Sequence, residues 1–244
     1  MKLKIFTVYH KEYPLPRKND FHTPIHGGKE INNWILKNIE WDNLWINISR
    51  KNPYYCELTV HYYIWKNSLY KKYKYIGFAH YNRRWKINKR LVNNLNLSVD
   101  IVVPKKIVIS KSYYRSLSII EHYSLHHNKV DIELVENIIN SDYPEYKSFI
   151  NVLYKKPLFI NSMYAWNMFI MKPNLFDEYM TFLFGVLFKL EQKNFSFVKS
   201  LYSKYQQRIY WFLGERIFNI WIEKKKKDNF KIINSKVVLL PKNI

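Results

Sequence analysis

The run Tyr75-Ile-Gly-Phe-Ala-His-Tyr-Asn-Arg-Arg-Trp85 constrains the fold of this chain more than any other. A short apolar stretch with the composition of a buried strand stops abruptly at a His, an Asn and two Arg. In open α/β sheets ligands gather beyond the carboxyl ends of the strands, so a strand feeding a cationic, hydrogen-bonding tip predicts an anion site there, with phosphate the best fit.

The rest of the chain supplies the elements such a sheet needs. Residues 3–9 read as a buried first strand ending at His10-Lys11, and Pro14, Pro16, Pro24 and Gly27-Gly28 then impose a loop. Pro53 signals a helix start, and Leu58, Tyr62 and Trp65 repeat at helical spacing over residues 55–69. Further strands are expected at 73–79, 100–104 and 165–171, and a last one at 231–240. Residues 112–153 read as mainly helical, with breaks near 126–128 and 142–144. Two long helices are expected at 174–193 and 203–226, the second closed by lysines 224–227 that complement its C-terminal dipole. This alternation predicts an α/β sheet, one domain over 1–244, with a nucleotide-binding half at 1–110 and a mostly helical half at 111–244.

Composition narrows the partners. Aromatic residues make up 18% of the chain, too many for a disordered polymer. The formal charge of +21 favours anionic partners: nucleic acid, an anionic membrane face or a phosphorylated small molecule. The bases are spread along the chain, a pattern that AT-rich coding also produces. A lone cysteine, Cys56, excludes an internal disulfide framework and suits a reducing compartment. No segment has the roughly 18 apolar residues a membrane span needs, and the N-terminus lacks the features of a signal peptide. A cytoplasmic protein, soluble or peripheral, is expected.

Four constellations carry chemistry. The tip His80-Tyr-Asn82-Arg83-Arg84 presents two guanidinium forks that match phosphate oxygens, although most such arginines pair with a carboxylate or are solvated. The stretch Asn47-Ile-Ser49-Arg-Lys51-Asn52-Pro-Tyr-Tyr55-Cys-Glu57-Leu-Thr59 leads into a helix N-terminus that favours anions, or simply caps and fills the core. Glu57 and His61 share a helical face, but two ligands do not make a metal site. Asn167, at the start of a buried strand, could bond a sugar hydroxyl. Glu215, between aromatics and beside Arg208 and Arg216, reads either as a desolvated general base with a raised pKa or as half of an ion pair. No Gly-rich phosphate loop and no Asp-x-Asp after an apolar strand occur, and Asp131-Ile-Glu133 reads as a solvated helix face.

In order along the chain, Tyr13-Pro-Leu-Pro, Pro24-Ile-His26-Gly-Gly28, the stretch from Asn47 to Thr59, Trp65-Lys-Asn67, the strand and tip from Tyr75, and Asp100-Ile-Val-Val-Pro-Lys-Lys106 resemble a bacterial family of capsular and exopolysaccharide glycosyltransferases. That family has long been filed as a domain of unknown function, number 4422. Tyr143-Pro-Glu-Tyr146, Asn167-Met-Phe-Ile-Met171, Phe176-Asp-Glu-Tyr179, Gln207-Arg208 and Gly214-Glu-Arg216 continue the series. The chain departs from the family pattern at Trp41-Asp-Asn-Leu-Trp-Ile46, where an acidic, Gly-containing stretch is usual, and at Asn82, where the family has Arg.

The resemblance implies a GT-A-type, Rossmann-like sheet with helices on both faces and a helical C-terminal part. It implies inverting transfer of a hexosyl unit, with galactose and galactofuranose among the candidates, from a UDP-sugar to a hydroxyl of a lipid-linked glycan in capsule, exopolysaccharide or O-antigen synthesis. The nucleotide sugar would meet His10, Lys11, His26, Asn47, Ser49, Asn52, Glu57, His80, Asn82, Arg83 and Arg84. Arg83 and Arg84 would together replace the usual divalent ion, so no cofactor and no metal, Mn or Mg included, is expected. Glu215, then Asp177 or Glu178, would deprotonate the acceptor, and Asn167 and Arg208 would hold it. The enzyme would sit at the anionic inner membrane face. Two rivals remain: a basic, aromatic-rich nucleic-acid-binding protein, and an inactive partner in a polysaccharide assembly.

Overall fold

Leu3, Ile5, Phe6, Val8 and Tyr9 are all buried, the near-continuous burial of a strand covered on both faces, and they form the strand β1 (Leu3–Tyr9). The computed structural model describes residues 2–15, 21–32, 39–97, 99–112 and 115–241. Pro16, Tyr113 and Tyr114 of the motifs and segments above lie outside them.

After β1 come β2 (His22–His26), β3 (Glu40–Trp41), β4 (Tyr75–His80), β5 (Arg83–Trp85), β6 (Ile101–Pro104), β7 (Ile107–Val108), β8 (Ser110–Ser112) and β9 (Arg115–Ser116). The strands β10 (Ser162–Met163), β11 (Ile170–Met171), β12 (Ile232–Ser235) and β13 (Val237–Leu239) complete the set. The α-helices are α1 (Asn52–Tyr55), α2 (Leu58–Lys66), α3 (Lys89–Asn96), α4 (Ile119–Ser124), α5 (Val130–Asp142), α6 (Pro173–Leu201) and α7 (Ile209–Lys227). They build two compact units. The first takes Met1–Lys105, Met168–Met180 and Lys231–Ile244, and the second Lys106–Asn167 and Thr181–Phe230.

The first unit is a sheet in the order β12-β6-β11-β4-β1-β2-β3, with β5 pairing both β4 and β13. β4, β1, β2 and β3 are mutually parallel, whereas β11 runs antiparallel between β4 and β6. Because side chains alternate along a strand, Phe78 and Tyr75 of β4 face opposite sides. Phe78 stacks on His61 of α2 at 3.8 Å and on Phe176 at 5.5 Å, while the Tyr75 hydroxyl donates to Leu95 O and Val99 O at the end of α3. Helices therefore cover both faces, as expected. Gly77 permits this packing, since a Cβ there would lie 2.7 Å from Ile170 and 3.0 Å from Phe169 O.

The second unit is mainly helical. Ser118 and Glu121 form a capping box that starts α4, and Tyr146 of the 3-10 segment Pro144–Leu153 stacks on Phe182 at 4.0 Å. Asp131, read from sequence as part of a solvated face, is instead buried, where it accepts from the Tyr123 and Tyr202 hydroxyls at 2.9 and 2.7 Å. Burial pushes its carboxyl above the usual range.

Other expectations are corrected in detail. The strand expected at 165–171 exists only as β11, because Trp166 and Asn167 take the left-handed region at φ 72° and 48°. The helix expected at 55–69 is broken at Cys56 (φ 48°) and ends at Lys66, where Asn67 Nδ2 caps Tyr63 O at 2.8 Å. At the start of the helical region expected from 112, Ser112 belongs to β8 and Arg115–Ser116 form β9, and the last strand divides at Lys236 so that β12 and β13 pair with different partners. Among the described residues no helix is long and apolar enough to cross a membrane.

Candidate functional site

The carboxyl ends of β1, β2, β3 and β4 lie on one edge of the sheet and deliver His10, His26, Asp42 and His80 to it. At the β3 end of this edge lies Asp42, fully buried. Its Oδ2 accepts from Gly28 N (2.8 Å) and Thr59 Oγ1 (2.6 Å), and its Oδ1 from Ser49 Oγ (2.7 Å) and Lys29 N (3.1 Å). One carboxylate thus ties the turn after β2 to the segment before α2 and to α2 itself. Gly28 is required in that turn: its φ is +73°, and a Cβ would lie 2.5 Å from Asn52 Cγ.

This arrangement redefines the predicted stretch from Asn47 to Glu57. Asn47 donates to Asn43 O and Trp45 O and accepts Ser49 N, Ser49 bonds Asp42 and Glu30 N, and Asn52 donates to Cys56 O and Thr59 Oγ1. These bonds within the protein make the three residues a wall of the site. Asp42 is what the sequence reading missed. Its donors lie at positions 28, 29, 49 and 59, and no local pattern joins them.

On the same edge, His80 Nε2 lies 3.5 Å from Glu57 Oε1, both side chains about nine-tenths buried. The pairing joins the end of β4 to the start of α2. His61, four residues beyond Glu57, turns away from it to stack on Phe78, and its Nδ1 is 2.9 Å from Glu57 O. His26 is fully buried, and burial, with Lys29 and His10 near, lowers its pKa to about 4, which keeps the imidazole neutral.

Beyond β4, Tyr81 is the hub of an aromatic and cationic cluster. His10 meets its ring edge-on at 4.8 Å, Tyr13 at 5.0 Å, and Lys11 Nζ lies 5.0 Å from its centroid. The arginine pair is corrected here. Arg83 and Arg84 are successive residues of β5, so the pleat sends their side chains to opposite faces and they cannot grip one diphosphate as a double fork. Arg84 Nη2 donates to Pro14 O (2.8 Å) and Tyr9 Oη (3.3 Å), fastening the loop after β1, while Arg83 Nη1 donates to Asn82 Oδ1 (3.2 Å).

Asp177 belongs elsewhere. Its Oδ1 accepts from Trp65 Nε1 and the Tyr70 hydroxyl, both at 2.8 Å. Trp65 is eight residues from Glu57 along α2, roughly 12 Å of helix axis, and Tyr70 precedes β4. Asp177, with Glu178 beside it on α6, therefore lies at the amino ends of the parallel strands, opposite the edge that carries His80.

In the second unit, Glu215 Oε2 accepts Arg216 Nη1 at 2.8 Å and Oε1 accepts Trp166 N at 2.6 Å. The ion-pair reading of Glu215 is the one observed, and its carboxylate holds the left-handed turn at 166–167. Asn167 Nδ2 donates to Trp211 O (3.2 Å), and the Arg208 guanidinium lies 4.5 Å over Trp211. Among the described residues no three His, Cys, Asp or Glu side chains converge as a metal site.

A mixed α/β sheet with its polar side chains gathered at the carboxyl edge is the architecture of a ligand-binding α/β protein. The chain belongs to the family described as Domain of unknown function (DUF4422), whose profile matches residues 4–227. It is similar to a solved chain, the apo structure of WbbM, a bifunctional glycosyltransferase, with 27% identity and a TM-score of 0.79. The likeness covers 98% of this chain and 45% of that one, so this chain spans less than half the length of its structural relative. No curated protein matches the sequence.

Proposed function

We propose that the chain is a GT-A-type glycosyltransferase domain that moves a hexosyl unit from a UDP-sugar to a hydroxyl of a lipid-linked glycan at the anionic inner membrane face. The observation that carries the reading is the convergence of His10, Lys11, Tyr81, Arg83 and the Glu57–His80 pair on the carboxyl edge of the parallel strands, in a fold similar to that of a glycosyltransferase. In this reading Lys11, His10 and Arg83 meet the diphosphate, whose charge grows as the sugar departs. Arg84 positions the loop after β1. The Glu57–His80 pair, on the edge where the donor lies, takes the acceptor proton, a role better matched to its place than to that of Asp177 or Glu178. Glu215 shapes the turn that presents Asn167. The ammonium and guanidinium groups do the work of a divalent ion, so turnover continues under chelation.

A panel of UDP-sugars incubated with a lipid-linked extract, with products identified by mass spectrometry, tests this. Arg83→Ala should raise the donor KM at least tenfold. Glu57→Gln and His80→Asn should lower kcat on the order of a hundredfold with the donor KM little changed. Activity lost in EDTA and restored by manganese would overturn the metal-free mechanism. Steeply salt-dependent RNA binding without turnover would favour the nucleic-acid reading instead.

A further inference from the structure

The second unit carries a surface to which the proposed transfer assigns no residue. Asn161 Nδ2 donates to Lys155 O and Leu117 O, both at 2.8 Å, and Ile109 N donates to Asn161 O at 2.9 Å. The buried Ser116 hydroxyl donates to Pro157 O. These bonds brace the loop 155–161 at both ends and in its middle. On that frame Leu158, Phe159 and Ile160 stand out at 88, 61 and 50% exposure. Val108, also exposed, is paired with Ser162 just beyond the loop. Three consecutive apolar side chains held in water by a hydrogen-bonded frame mark a contact surface.

Lys155, at the base of the loop, also lines a cleft of about 350 Å³ with Lys226, Lys227, Glu223 and Phe149. Lys106 joins this group: its ammonium lies 5.0 Å over the Tyr164 ring, on which Lys226 also sits at 5.4 Å. Burial, then repulsion from Lys226 and Lys155, lowers the Lys106 pKa, with Glu223 opposing. Four ammonium groups face one carboxylate, Glu223, which is already held by Lys226 at 2.5 Å. Lys156, by contrast, is paired with Glu121. An apolar tip beside a lysine cluster matches the two layers of a phospholipid surface, acyl chain and phosphate. A second copy of the chain would bring the same positive cluster against this one, and a nucleic acid would leave the tip in water.

We propose that the loop 155–161 inserts Leu158, Phe159 and Ile160 into an anionic bilayer while Lys106, Lys155, Lys226 and Lys227 bind lipid phosphates. This locates the membrane side of the function proposed above and rests on it only for its purpose. Vesicle binding is measured without donor or acceptor, so each reading can fail alone.

The test is co-sedimentation with phosphatidylcholine vesicles with and without about a third phosphatidylglycerol. The protein should pellet with the anionic vesicles and far more weakly with the neutral ones. Leu158→Ser, Phe159→Ser and Ile160→Ser together should weaken binding at least tenfold. Lys155→Ala and Lys227→Ala should each weaken it about fivefold, the factor that corresponds to ~1 kcal/mol per basic residue at an anionic surface. All variants should retain the parent's circular dichroism and its turnover of a soluble acceptor. Unchanged pelleting of the triple serine variant, loss of a dimer in sedimentation velocity without any vesicle binding, or RNA binding in place of vesicle binding would each overturn the proposal.

Discussion

Asp42 holds four donors with two oxygens and has no solvent to fall back on. An amide at this position keeps the shape but offers one acceptor oxygen, and its NH2 group opposes donors. Asp42→Asn should therefore cost about 2–4 kcal/mol in denaturant unfolding and loosen the Gly28 turn. A second buried group gives stability a pH dependence. His127 is packed between Tyr123, Tyr205 and Phe212, and burial, aided by Arg216, His126 and Arg208, lowers its pKa to about 4. Above about pH 6.5 neither the folded nor the unfolded chain protonates it, and its stabilising packing is fully retained. Between 6.5 and 4 the unfolded chain takes up a proton that the folded chain refuses, so stability falls with pH by roughly 3 kcal/mol and levels off below. His127→Phe should make that limb of a stability-versus-pH curve shallower, leaving the parts due to the similarly lowered His26 and His122, while the melting temperature at pH 8 stays nearly unchanged. Both residues were silent in the sequence because their meaning comes from partners far along the chain. The arginine pair was legible as a feature and misread as a tool, since adjacency in a strand means opposite faces.

At the scale of elements, Gly77 decides how closely β11 and β1 approach β4. Gly77→Ala places a methyl against Ile170, Ile5 and the Phe169 carbonyl, where no flexible tip can yield, and should cost about 2 kcal/mol, seen as a lower denaturant midpoint with an unchanged m-value. Strands with continuous apolar runs were readable: β1 has the predicted bounds, and β4 and β6 lie within one or two residues of theirs. The failures share a cause. At Cys56, Ser68, Trp166 and Asn167 the backbone enters the left-handed region without a glycine to announce it. The turn at 166–167 is held by Glu215, almost fifty residues away, which no window of local periodicity contains. Propensity sees the apolar run 165–171; the long-range hydrogen bond decides how much of it is strand.

For the molecule as a whole, the α/β class and the helices on both faces followed from alternating elements and from the ordered resemblance along the chain. The carboxyl edge of the sheet was legible as the place where polar side chains gather because Tyr75-Ile-Gly-Phe-Ala79 ends where its polar residues begin. The position of Asp177 was not, because β11 is antiparallel and carries the start of α6 to the opposite edge, a reversal invisible without strand order. That same interleaving governs how the polypeptide matures. β6 and β5 are made early, yet β6 finds one neighbour only when β11 arrives and the other only with β12, and β5 waits for β13. A nascent chain leaving the ribosome must keep one of these hydrogen-bonding edges unsatisfied through 65 intervening residues, until β11, and the other two through more than a hundred, until β12 and β13. Vectorial synthesis and tertiary closure are therefore out of step, and the interval between them is when aberrant edge-to-edge pairing threatens this protein most.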